Sequence, residues 1–129
     1  MKFKEHAISP TGWYLATIIE RFEKIDEDLS NSNRRCTAWE NTHILKADDV
    51  LKAYEKIHYH YKTIKEKELT KLNGKKGRWV FEGVIDLVPI YEEFEDLSEI
   101  LWNEHKNIAV KTIKKELLSI ADIKSNYSE

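Results

Sequence analysis

The chain has 129 residues, with 21 Lys and Arg against 23 Asp and Glu for a formal net charge of −2, and 41% apolar residues that include four Trp, six Tyr and four Phe. That length and apolar content suit one folded domain and exclude a disordered polar chain, because burying this much surface offsets the entropy of ordering. The near-neutral charge excludes a whole-surface nucleic-acid binder, the lone Cys36 excludes an internal disulfide, and no apolar run nears the ~20 residues of a membrane-spanning helix.

The polar start, with Lys2, Lys4, Glu5 and His6 before Pro10, lacks the apolar run of a secretory peptide, so the expected location is the cytoplasm, with no membrane association. From Trp13 to Phe22, β-branched and aromatic residues run without Gly or Pro, which predicts a first strand. Both parities are apolar as far as Ile19, so its first half should be covered on both faces. Asp26 to Arg35 is a polar loop, and Cys36 to Lys46 predicts a second strand paired antiparallel to the first. Trp39, Asn41, His43 and Leu45 share one of its faces; Ala38, Glu40, Thr42 and Ile44 share the other.

Asp48 is the predicted cap of a helix, with Asp49 also favourable at its positive end. Val50, Ala53, Tyr54, Ile57, Tyr61 and Ile64 come at three- and four-residue spacing and form one apolar stripe. Asn73-Gly74 and Gly77 are turn signals in a segment that reads as a loop up to Gly77. Arg78 to Ile90 predicts the long central strand, with Trp79, Phe81, Gly83, Ile85 and Leu87 as its core parity and Arg78, Val80, Glu82, Val84, Asp86 and Val88 as the other. Gly83 should mark a bulge or a close approach, and Pro89 should end the ladder. Glu99 to His105 reads as a fourth strand, and Val110, Ile113, Leu117, Ile120 and Ala121 as a last helix with Lys111, Lys114 and Lys115 on its polar side.

The expectation is one α+β domain over residues 1–129, with a core of 11–121 and tails of 1–10 and 122–129. Its sheet should be antiparallel, of about four strands, with helices on one face and the order β-β-α-β-β-α.

Chemistry-bearing patterns are sparse. His58 and His60 lie two apart on the helix and diverge by about 200°, so they do not chelate one ion together, and no metal site is predicted. Phosphate loops, dinucleotide fingerprints and nucleophile elbows are absent from the sequence, so no catalytic residue and no cofactor is assigned. Cys36 reads as a small apolar strand residue. Charge is segregated: Lys62 to Arg78 holds seven basic and two acidic residues, whereas Glu82 to Glu104 holds eight acids and no Lys or Arg. Such polarity suits docking to a charged protein partner or self-association, while the adjoining acids make nucleic-acid binding an unfavourable reading of the basic segment.

Trp13-Tyr14-Leu15-Ala16, Asn41-Thr42-His43-Ile44, Ala53-Tyr54 and the run Gly77 to Tyr91, with its Asp86-Leu87-Val88-Pro89-Ile90-Tyr91 end, resemble a family of small bacterial proteins catalogued as a domain of unknown function. The resemblance spans about residues 13 to 105 and implies a bacterial cytosolic origin and no catalytic residue. Within those motifs Asn41, His43, Arg78, Asp86 and Tyr91 are polar without a packing reason, and Glu82 joins Arg78 and Asp86 on one strand parity. These six are the candidate ligand-binding residues. The expected function is a non-enzymatic binding or protein-interaction module, with a homodimer as one form of it; the alternative is a binder or enzyme for a small anionic or nucleotide-like ligand on the polar face of the long strand.

Overall fold

Strand β1 (Trp13–Lys24) is the axis of the fold, because it pairs along both edges. In the computed structural model, which describes residues 2–65 and 68–128, it lies between β2 (Ala38–Lys46) and β4 (Lys75–Pro89), with α1 (Val50–His60) between β2 and the short β3 (Leu69–Leu72) in the chain. The sheet has four antiparallel strands in the order β2-β1-β4-β3. After β4 come α2 (Val110–Lys115) and α3 (Ile120–Tyr127), neither of which has a buried residue. The molecule is α+β, as expected.

Alternation along β1 divides the sheet into two faces. Tyr14, Ala16 and Ile18 are fully buried on the helix side, where Leu45 of β2, Phe81 of β4 and Ala53, Ile57 and Tyr61 complete the main cluster. Asp49, one residue beyond the expected cap, accepts from the Lys52 amide at 2.8 Å and starts α1. Lys56 Nζ donates to the Lys46 carbonyl at 2.9 Å, which ties α1 to the end of β2. The helix ends in a widened π turn at Tyr61–Lys65. The side chain of Ile64, expected in the stripe, and residues 66 and 67 of the basic segment lie outside the described residues.

Three sequence expectations need correction. No strand occupies Glu99 to His105; the fourth strand is β3, which precedes the long strand and joins it through Asn73-Gly74. Both turn residues have positive φ, 51° and 79°, the two-residue hairpin geometry whose twist matches its flanking strands. The core parity of β4 is also different. Its register against β1 slips twice, past Glu82 and past Ile85, and each extra residue reverses the alternation. Val84 therefore packs on the core while Ile85 is 50% exposed and Gly83 pairs with Ile19 on the other face; Trp79, Phe81 and Leu87 do lie on the helix side. Finally, the expected C-terminal helix is two short ones, because Ser119 and Asp122 form a capping box that starts α3 afresh.

The bulge expected at Gly83 is present, since the register slips between Gly83 and Phe81, whereas a close approach to a glycine occurs at Gly77. A Cβ on Gly77 would lie 2.3 Å from the Glu23 carbonyl oxygen and 2.7 Å from the Phe22 ring, so backbone and a buried ring would both have to move. Gly77→Ala should lower stability by roughly 1–3 kcal/mol, read as a lower urea midpoint with an unchanged slope.

Candidate functional site

Of the six candidate residues, Asn41 and His43 come together on the helix side. Asn41 pairs across β1 with Ile18 and His43 with Ala16, so both project from the sheet face that α1 covers. Asn41 Nδ2 donates to Glu20 Oε1 at 2.7 Å, and His43 Nε2 shares a short hydrogen bond with the Tyr61 hydroxyl. Tyr61 is 3% exposed, stacked on Phe81 at 5.0 Å. Burial raises its phenol above the usual tyrosine range, the Glu20 carboxylate adds to the rise, and a hydrogen bond with Asn41 partly opposes it. Tyr61 is thus held protonated at neutral pH and serves as a fixed hydroxyl. The ring of His60 lies 6.2 Å from that of His43, and His58 stacks on Tyr54.

Beyond the end of α1 the same face continues as an aromatic surface. Trp39, the cross-strand partner of Glu20, lies 4.3 Å from Trp79, which meets Phe22 edge-on at 5.4 Å. Phe22 is buried beneath the pair, whereas Trp39 is 49% exposed. Glu20 is half-buried and makes no ion pair among the described residues. The sequence holds one signal for this site: Asn41 and His43 share a parity with Leu45, which is core. By period alone Tyr61 is only a member of the helix stripe and Trp79 only a core residue.

The other four candidates lie elsewhere. Arg78 pairs with Glu23, and Asp86 with Thr17, on the outer face, while Glu82 reaches Arg21 on that face at 3.5 Å from Nε. Arg21 also meets Glu23 at 3.1 Å. Arg78, Glu82 and Asp86 are all exposed. The Tyr91 hydroxyl donates to the His6 carbonyl at the far end of the sheet, where it borders a cavity of about 490 Å³ lined mainly by apolar groups such as Val50, Leu87, Ile100 and Trp102. This apolar cavity is at the N-terminal end of α1, away from the polar network at its C-terminal end. Among the described residues no three His, Cys, Asp or Glu are grouped to hold a metal, and Cys36 is free and exposed. No described helix is long and apolar enough to cross a membrane.

Residues 13–102, which hold every strand, α1, the network and the Trp pair, match a family described as a domain of unknown function, DUF4288. The chain belongs to this family. Comparison with curated proteins and with solved structures gives no match. The matched part of the DUF4288 domain ends at Trp102 and leaves out α2 and α3.

The network has a pH signature. A raised phenol pKa means that the folded state holds its proton more tightly than the unfolded chain, so the associated stability is complete below about pH 10 and is lost as pH rises through the folded value. Urea denaturation between pH 8 and 11 should show an alkaline decline that Tyr61→Phe makes shallower.

Proposed function

We propose that this DUF4288 domain is a non-enzymatic protein-interaction module that takes a cationic side chain of its partner onto the surface made by Trp39, Trp79 and Glu20. The observation that carries the reading is the Trp39 and Trp79 pair beside a carboxylate that has no ion-pair partner among the described residues. Indole faces attract cations through their quadrupole, and a carboxylate next to them adds a directional acceptor for Lys or Arg. The eight acids between Glu82 and Glu104, with no Lys or Arg among them, support the same choice of a basic partner. Asn41 holds the Glu20 carboxylate in place, and the protonated Tyr61 and its bond to His43 fix the wall behind it. This arrangement positions donors and acceptors around a held carboxylate, which supports a binding role. A free, exposed Cys36 suits the reducing cytosol of a bacterium, the origin proposed for this domain.

A second reading rests on the cavity of about 490 Å³ beside Tyr91, whose size and apolar lining suit a small molecule. Arg78, Glu82 and Asp86 do not line it, so this reading differs from an anion clamp on the long strand.

A short arginine- and lysine-containing peptide titrated against the protein, with tryptophan fluorescence as readout, tests the first reading. Trp39→Ala and Glu20→Gln should each weaken binding roughly 3- to 30-fold, and added salt should weaken it further. Equal affinity of the parent and both variants would remove the site.

A further inference from the structure

Strand β2 ends the sheet on one side, and its outer edge is open. The Ala47 amide donates to the Gly12 carbonyl at 3.0 Å and the Phe22 amide to the Thr37 carbonyl at 2.9 Å, one bond at each end of the ladder between β1 and β2. Bonded pairs in an antiparallel ladder recur at every second residue, so the odd-numbered residues from 37 to 47 bond to β1. The N–H and C=O groups of Ala38, Glu40, Thr42, Ile44 and Lys46 therefore point away from the sheet. Lys56 Nζ takes the Lys46 carbonyl, which closes the end beside α1. Those of Ala38, Glu40, Thr42 and Ile44 meet no protein partner among the described residues, and all four residues are exposed. Proteins blunt such edges with short strands, Lys, Pro or bulges. The opposite edge strand, β3, has four residues and carries Lys71. From Ala38 to Ile44, by contrast, there is no Pro, no Lys and no register slip.

We propose that an extended segment of a partner protein adds to this edge as a fifth, antiparallel strand, and that it carries two adjacent basic residues. The proposal rests on the reading of Trp39 and Glu20 as a cation surface and specifies the form in which the partner meets it. Main-chain bonds to an open edge supply affinity, and alternate side chains supply specificity. Residues directly opposite one another in a ladder share a face. The partner residue opposite Trp39 thus points to the helix side, onto the half-exposed indole. Glu20, the cross-strand partner of Trp39, lies two strand spacings away, about 10 Å, within the combined reach of an Arg and a Glu side chain. The adjacent partner residue, opposite Glu40, points to the outer face, where the Glu40 carboxylate makes no ion pair among the described residues. Both positions select a cation, and those opposite Thr42 and Ile44 suit β-branched side chains. A second copy of β2 does not meet this requirement, because Ala38 to Leu45 holds no Lys or Arg. Antiparallel addition continues the pattern of the sheet and places the basic pair toward the C-terminal end of the segment.

The probe is a blocked peptide, Val-Thr-Val-Thr-Lys-Arg-Thr, whose residues fall opposite Ile44 through Ala38 in that order. Added in excess to the full nitrogen-15-labelled chain, it should slow hydrogen exchange at the Glu40, Thr42 and Ile44 amides by roughly 10-fold or more. N-methylation of its second Val and its Lys, whose amides face β2, should weaken binding at least roughly 5-fold. The same change at its second Thr and its Arg, whose amides face away, should leave affinity within about 2-fold. Binding that shifts the Trp39 indole but protects none of the three amides, with equal losses from both methylation patterns, would overturn strand addition and leave the cation surface standing. Protection with the expected methylation pattern, indifferent to Trp39→Ala and Glu20→Gln, would instead keep the added strand and remove that surface. No binding at millimolar peptide would contradict both. Protection of the three amides without peptide, growing with protein concentration, would assign the edge to a second copy and overturn the proposal.

Discussion

The helix is too short for the strand it covers. Strand β1 has 12 residues and α1 has 11, so at their different rises the strand runs about 40 Å and the helix about 16 Å. An apolar sheet face can be dried by one helix only over the helix's own length. Tyr14, Ala16 and Ile18 occupy that length and are fully buried; Glu20, two residues on, falls near its end. The mismatch requires a second way of covering the face. The widened turn at Tyr61 sets a hydroxyl against His43, Asn41 holds Glu20, and Trp39 and Trp79 close over Phe22. Single-turn π segments recur at functional sites, and Tyr61 is the first residue of this one.

The two slips in β4 distribute the chemistry between faces. Without them Ile85 would face the core and Val84 would not, and the core cluster would lose a packing partner beside Ile18. With them, Glu82 sits where it can reach Arg21, and Ile85 is left 50% exposed. Bulges also increase local twist, which suits a long strand that must stay paired to β1 along its length while its other edge pairs with β3.

Much of the fold is legible in the residues, and the parts that are not have physical reasons. β1, β2 and α1 declare themselves because their periods are clean and their neighbours carry breakers and caps. β4 is evident as an element, but period-two reading assumes one unbroken ladder, and bulges leave little trace besides Gly83. The β3 hairpin is hidden by lysines around Asn73-Gly74, whose turn preference is visible and whose flanking strands are not. Ile100, Leu101 and Trp102 suggest a strand by composition, yet they join no edge of the sheet and instead line a cavity. For the site, Asn41 and His43 stand out because they are polar on a parity that ends in Leu45. Arg78, Glu82 and Asp86 group with them by polarity alone, and the sheet puts them on its opposite face.

If the sheet face beyond α1 is the contacting surface of the domain, its tryptophans should report a partner first. The four tryptophans sample the alternatives, since Trp39 and Trp79 sit on that surface, Trp13 packs on Phe94, and Trp102 lines the apolar cavity. Their indole N–H signals, tracked by two-dimensional NMR while a basic peptide is added to the nitrogen-15-labelled protein, show directly which surface is used. The Trp39 and Trp79 indoles and the Asn41 side-chain amide should move together while Trp13 and Trp102 stay in place. Movement of Trp13 or Trp102 with Trp39 and Trp79 unchanged would contradict this assignment of the contacting surface.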